Sequence, residues 1–286
     1  MFSIKEIIES KKKIIWTHRD LWPIYGLNHY EEIIENSKYN LIYDFLNNYI
    51  YKYKKSIDYK KINIVTISNW HKQIVNEALF YKNNIIKKIS NAIDVKVYYP
   101  KPMPSINSSF NILFLAHNYL SDTRKGYKLF IDLFNRINES DQFKKFNLKF
   151  IVVGDFNHLT NIKNITFLPN IENEKDLNTI YNMSNLYVNT SKYETFGKTT
   201  AESMACNTPV IAYKKTGAKD MINHKINGYL VSRYDVQDFY NGLCWLLDEI
   251  IMKKNNFDCS EKILQEFSID KIYKEYELLY EENDNS

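Results

Sequence analysis

From about residue 110 onward, short runs of β-branched and apolar residues alternate with longer amphipathic stretches. A brief apolar run bounded by turn residues fits a buried strand, and apolar positions three and four apart fit a helix with one buried face. This pattern predicts strands at residues 111–116, 148–153, 165–168, 186–189, 210–213 and 229–231. Helices are predicted between them at 127–138, 175–183, 198–206, 218–223 and 236–250. Strand and helix in alternation indicate a parallel sheet with helical crossovers. The chain has seven glycines, and Gly154, Gly197, Gly217 and Gly228 all fall where an element must end. Such positions need positive φ or close backbone approach. Residues 110–266 are therefore expected to form one complete doubly wound, Rossmann-like α/β domain.

The first 100 residues carry fewer elements. Strands are predicted at 13–17, 62–68 and 85–89, with helices at 3–11, 41–55 and 69–80. Three strands fall short of the five or six of a typical sheet, so residues 1–100 read as a partial Rossmann-like domain. The run Tyr99-Pro100-Lys101-Pro102-Met103-Pro104-Ser105 suits a linker over residues 101–109, because proline continues neither ladder. An amphipathic helix near 268–282 is expected within a segment, 267–286, that packs back toward the first domain.

Composition narrows the class. Apolar residues make up 44% and charged residues 25%, the balance of a globular chain rather than a disordered one. The net charge of +4 is too small an excess to point to nucleic acid. Cys206, Cys244 and Cys259 lie far apart, with no Cys-x-x-Cys pair and no histidine cluster at metal-ligand spacing. Neither a disulfide framework nor a metal site is indicated, and a reducing compartment fits. The start lacks the layout of a signal peptide, and no run approaches the roughly 18 apolar residues of a membrane span. A soluble, cytoplasmic protein is expected. Basic amphipathic segments such as residues 5–13 fit either a solvated helix face or a peripheral contact with the inner face of the membrane.

Three passages hold candidate chemistry. In residues 189–212 a predicted strand ends near Asn189, a loop carries Glu194, and a helix starts near Lys198. Amides at such a helix start suit an anionic phosphate, and strand carboxyl ends are where open α/β sheets bind ligands. Glu194 precedes the helix and Glu202 lies about one turn inside it, so both carboxylates can face one cleft and accept from sugar hydroxyls. By spacing alone, acidic residues that stabilise a helix start explain the pattern as well. The second passage, Ser121-Asp122-Thr123-Arg124-Lys125-Gly126, sets two cations on a strand-to-helix loop. They could offset charge on a departing diphosphate, or form a solvated basic loop. The third, Trp16-Thr17-His18-Arg19-Asp20-Leu21-Trp22-Pro23, puts His18 at a strand end, where a lone histidine is more often structural than catalytic. His117 stands at the analogous strand end of the second domain.

Taken together and in this order, these passages resemble the GT-B-fold glycosyltransferases of family 4. The resemblance runs from residues 14–23 through 64–70, 124–126, 152–154 and 165–169, and then through Glu194-x7-Glu202 to 227–231. The run from Trp16 to Pro23 further resembles members that build bacterial surface polysaccharides. The resemblance implies a retaining, metal-independent hexosyltransferase (EC 2.4). It would need no cofactor beyond a nucleotide-diphosphate sugar as co-substrate, and its acceptor would be a glycan or a lipid-linked sugar. Glu194 would contact the donor sugar, with the amides of Phe196, Gly197 and Lys198 facing sugar and diphosphate. Glu202 would hold the ribose diol, Arg124 and Lys125 would grip the diphosphate, and His18 would reach the transferred sugar. Asn207 stands where the family usually has glycine after a helix, a position that wants a left-handed residue. Members also open with further βα units before the strand that carries the histidine. By that comparison the acceptor-side domain is truncated, and the strand at 13–17 is left as an apolar edge. The chain is then a fragment, a degraded relative, or a non-catalytic or split-enzyme subunit whose partner chain completes the first domain.

Overall fold

The computed structural model describes residues 4–9, 12–30, 40–82, 84–102, 109–144, 146–154, 162–251 and 257–284. The chain divides into two compact units: Met1–Asn91 with Tyr273–Ser286, and Ala92–Ile272. The division falls ahead of the proline-rich stretch, of which residues 103–108 lie outside the described set.

The first unit contains α1 (Ile4–Glu9), β1 (Ile14–His18), α2 (Asn40–Lys55), β2 (Ile62–Thr66), α3 (Asn69–Glu77) and β3 (Ile86–Lys88). The strands form a parallel sheet in the order β1-β2-β3, and among the described residues β1 pairs only with β2. Central β2, Ile-Asn-Ile-Val-Thr, is rich in β-branched residues and nearly all buried, as a strand covered on both faces requires. Ser68 caps α3 by accepting from the His71 amide at 3.0 Å. The single helix expected over 69–80 is broken at Ala78, whose ψ of 129° is extended. A separate 3-10 turn, Leu79–Tyr81, then carries Tyr81 into the core. The segment after β1 is held from α2: the buried Lys54 ammonium donates to the carbonyls of Trp22 (2.6 Å), Tyr25 (2.8 Å) and Gly26 (2.7 Å).

The second unit contains β4 (Phe110–Leu115), α4 (Tyr127–Glu139), β5 (Leu148–Val153), β6 (Ile165–Leu168), α5 (Glu174–Met183), β7 (Leu186–Asn189), α6 (Lys198–Ala205), β8 (Val210–Tyr213), β9 (Gly228–Val231), α7 (Val236–Ile251) and α8 (Ser260–Phe267). All six strands are parallel, in the order β6-β5-β4-β7-β8-β9. Phe110, Ile112 and Phe114 of β4 join a core with Phe130, Leu133, Phe134 and Ile137 of α4 and Phe239, Leu243, Leu246 and Leu247 of α7. Leu113, alternating with them, is equally buried, because a strand turns successive side chains to opposite faces. Helix α6 packs against α5 and α8. A last helix, α9 (Ile269–Asp284), runs from this unit into the first.

The helix expected at 218–223 is instead a 3-10 turn, Gly217–Asp220. Gly217 is pressed so tightly on the preceding loop that an added Cβ would lie 2.4 Å from the Thr195 carbonyl oxygen. Helix α8 was not anticipated from the pattern, since only Ile263 and Phe267 mark its buried side. Asn207 does adopt the left-handed conformation, with φ of 60°, and its Oδ1 accepts from the Cys259 amide at 2.8 Å.

Candidate functional site

Strand order locates the site. The chain enters the second sheet at β4, builds outward to β5 and β6, then returns to the other side of β4 with β7, β8 and β9. Crossovers leave β4 and β7 in opposite directions, so a crevice opens beyond their carboxyl ends. The loop after β4 carries Arg124 and Lys125, and the loop after β7 carries Glu194.

Backbone hydrogen bonds lock these loops together. The Lys192 amide donates to the Arg124 carbonyl at 2.8 Å. Thr190 Oγ1 donates to the carbonyls of Lys125 (2.8 Å) and Gly126 (3.0 Å), and Tyr234 Oη donates to the Thr190 carbonyl at 2.6 Å. Gly126 makes the approach feasible: its φ is +68°, and a Cβ there would stand 2.2 Å from the Thr190 carbonyl oxygen. Within the 3-10 turn Thr123–Lys125, Asp122 accepts from the Arg124 amide at 3.1 Å.

The charged side chains are paired. Lys125 Nζ lies 3.1 Å from Glu194 Oε2, both about a quarter exposed or less. Arg124 donates through Nε (2.9 Å) and Nη2 (2.6 Å) to the two oxygens of Asp122, a bidentate arrangement that fixes the guanidinium plane. The turn is therefore less openly cationic than its sequence implies.

Helix α6 begins at Gly197, whose φ of +91° and ψ of +62° suit glycine. No side chain caps the helix there, and the first-turn amides, Lys198 to Thr200, have no partner within the helix. Phe196 is buried against Phe267, which holds the loop down. Thr199 Oγ1 lies 3.1 Å from Tyr187 Oη, and Asn189 Nδ2 donates to Thr200 Oγ1 at 3.0 Å, tying the first turn to β7.

Glu202 is one turn in and almost wholly enclosed. Tyr181 Oη donates to its Oε2 at 2.9 Å, Lys198 Nζ stands 3.3 Å from Oε1, and Tyr98 also bonds to it. Burial raises its pKa, opposed by Lys198 and by the tyrosine hydroxyls. Burial raises the pKa of Tyr187, and Glu194 and Glu202 both add to it, so the two carboxylates act on the same side chain. Tyr98, Tyr181 and Thr190 were missed by sequence reasoning. Tyr98 and Tyr181 sit outside the loops that carry charge, and Thr190, at the start of the Glu194 loop, shows its role only through its bonds to the Lys125 and Gly126 carbonyls. Gly217 was visible as punctuation, but not as a contact of the Glu194 loop, where its amide donates to the Glu194 carbonyl at 2.8 Å.

His18, in the first unit, ends β1 with 1% exposure. Its ring centroid lies 4.7 Å from that of Trp16, 5.4 Å from Tyr81 and 6.4 Å from His71. Neither ring nitrogen has a hydrogen-bond partner among the described residues. Burial, aided by His71, lowers its pKa to about 3, so the imidazole is neutral. As folded it is a core side chain. His117 is exposed, and its Nδ1 is bonded to the Asn170 amide. Among the described residues no group of three or more His, Cys, Asp or Glu is placed to hold a metal ion, and no helix is long and apolar enough to cross a membrane.

Comparison with known proteins identifies the family and the fold. The model of the glycosyl transferases group 1 family matches residues 106–260. An uncharacterized glycosyltransferase of Haemophilus influenzae is 25% identical over 221 residues, 74% of this chain and 59% of that protein. The N-acetyl-alpha-D-glucosaminyl L-malate synthase of Bacillus anthracis is 26% identical over 223 residues, 72% of this chain and 57% of that protein. The chain thus spans less than two thirds of the length of these relatives. Among solved structures, Anabaena HepE, in complex with UDP and glucose, superposes with a TM-score of 0.68 at 16% identity, covering 95% of this chain and 72% of that one. The shared architecture is α/β with parallel sheets, the GT-B arrangement.

Proposed function

The chain belongs to the glycosyl transferases group 1 family, and on that premise we propose that it moves a hexosyl group from a nucleoside-diphosphate sugar to a glycan or lipid-linked acceptor, with retention of configuration, in the building of a bacterial surface polysaccharide. The observation that carries the reading is the 3.1 Å contact of Lys125 with Glu194 beside the uncapped start of α6. It joins a cation, a hydroxyl acceptor and a row of amides in one crevice.

Each group then has a task. Amides of Gly197 and Lys198 at the positive end of α6 receive the diphosphate. Lys125 exchanges Glu194 for phosphate oxygens, and Arg124, oriented by Asp122, adds a second cation to the leaving group. Glu194, released from Lys125, accepts from hydroxyls of the donor sugar. Glu202 accepts from the ribose diol once Lys198, the exposed partner of that pair, swings aside. As the glycosidic bond breaks, the departing phosphate accepts the proton of the attacking hydroxyl, so no protein nucleophile or metal ion enters the step.

Calorimetry against a panel of nucleotide sugars tests the donor assignment. Glu202→Ala and Lys125→Ala are each expected to weaken binding of the accepted donor by about ten-fold or more, the worth of one charged hydrogen bond. If neither change weakens any donor, the assignment fails. NMR of the product is expected to show the anomeric configuration of the donor. His18 has its own test, because its assignment rests on resemblance while its ring is enclosed. His18→Asn lowers turnover at unchanged donor affinity if the imidazole reaches the sugar, and unchanged turnover leaves it a core residue.

A further inference from the structure

Helix α2 is built with two apolar sides, of which only one is covered. Tyr43, Asn47, Ile50, Tyr51 and Lys54 recur at helical spacing and are half-buried or buried. They serve the unit's own packing: Asn47 Oδ1 accepts from the Leu27 amide at 2.7 Å, and Tyr51 meets Phe80 with ring centroids 5.2 Å apart. On the other side stand Leu41 (84% exposed), Ile42 (69%), Phe45 (69%), Leu46 (45%) and Tyr49 (60%), continued by Tyr53. At 100° per residue these six fall within an arc of about 140°. Single exposed apolar residues are ordinary, whereas a contiguous stripe of this kind marks a surface that meets something.

Charge indicates what it meets. Lys52 and Lys55 are exposed at the carboxyl end of the stripe, and Lys60 and Lys61 follow in the next turn, with Asp44 and Asp58 as the acidic residues in this stretch. Over residues 40–61 this makes five Lys, the buried Lys54 among them, against two Asp. A cationic end on an aliphatic and aromatic stripe matches an anionic bilayer surface, where lysines reach phosphate headgroups and tyrosines sit at the boundary. Sixteen residues give a helix about 24 Å long. We propose that α2 lies in the plane of an anionic membrane leaflet with Leu41, Ile42, Phe45, Leu46 and Tyr49 inserted among the acyl chains. This surface is carried by α2 (Asn40–Lys55), a different stretch of the sequence from the basic residues 5–13, and does not depend on the sugar-transfer reading.

Co-sedimentation of the full chain with phosphatidylcholine vesicles, with and without phosphatidylglycerol, tests it. Binding is expected only where phosphatidylglycerol is present. Leu41→Ser with Phe45→Ser is expected to lower partitioning about ten-fold or more, since both lost side chains are apolar anchors. Lys52→Glu with Lys55→Glu is expected to do the same at low salt, with the difference fading near 1 M salt, where the screening length is about 3 Å. Ile226→Ser, an equally exposed residue of the second unit, is the control and is expected to change nothing. A Phe45→Trp reporter is expected to shift its emission to the blue on vesicle addition and to be quenched by brominated lipid. The proposal is overturned if the chain ignores anionic vesicles, or if it binds them equally after the Leu41 and Phe45 changes. It is also overturned if the stripe instead closes a dimer that those changes dissociate.

Discussion

A single methyl group at residue 126 probes the joint on which the candidate site rests. In Gly126→Ala the backbone must keep φ at +68° with a Cβ present, which costs about 1 kcal/mol for a left-handed residue. The methyl carbon would also stand 2.2 Å from the Thr190 carbonyl oxygen and 3.0 Å from Thr190 Cβ. A non-bonded C···O pair settles beyond about 3 Å, so the two loops must part by about 1 Å. Parting them stretches both Thr190 Oγ1 bonds and the Lys192 amide bond to Arg124. Thr190 Oγ1 shares its one proton between two carbonyls, so the loss counts as two bonds of about 1 kcal/mol each, and with the backbone strain the expected destabilisation is about 3 kcal/mol. Urea denaturation of wild type and variant measures it. Because Lys125 moves away from Glu194, calorimetry is expected to show weaker binding of the accepted donor as well. A loss below about 1 kcal/mol with unchanged donor affinity would show that the loops are not mechanically joined, and the reasoning would fall with it.

Two further outcomes follow from buried groups in the first unit. His18 and His71 are held neutral, chiefly by burial, with pKa lowered from 6.5 to about 3 and about 4. Their contribution is complete above pH 6.5, where both states are unprotonated. It is lost as pH falls toward 4, because the unfolded chain takes up protons first. At about 1.4 kcal/mol per pH unit for each imidazole, about 4 kcal/mol is gone by about pH 5. Urea titrations at neutral and acid pH check this; a flat profile, or one that His18→Phe with His71→Phe does not flatten, contradicts it. Lys54→Met keeps the stem but strands three carbonyls, and is expected to cost about 3 kcal/mol by thermal or urea unfolding. Full stability in that variant would mean that the Trp22–Gly26 carbonyls find other partners.

The sheet of the second unit could be read from periodicity because its central strands are buried on both faces and its edge strand β6 still holds an apolar run. Leu148–Val153, Ile165–Leu168, Leu186–Asn189 and Val210–Tyr213 fall where the apolar runs place them. The site's loops were legible for a related reason: positive-φ glycines and helix starts leave marks in a single segment. Gly197 and Gly154 are such marks, and Asn207 takes the left-handed conformation its position demands. Two short segments that bury one or two side chains among polar neighbours leave a weaker mark. Helix α8 goes unread on that account, and the turn at Gly217–Asp220 reads as a helix.

Sequence alone, then, determined the βα rhythm, the glycine-marked ends and the order of the charged motifs, since these depend on neighbours within a few residues. Only the tertiary structure decided which charges are spoken for. Lys125 is matched to Glu194, Arg124 to Asp122, and Glu202 to Tyr98 and Tyr181. It also decided that His18 is enclosed and that one side of α2 is not. Burial and pairing are sums over residues far apart in the chain, and no local window contains them.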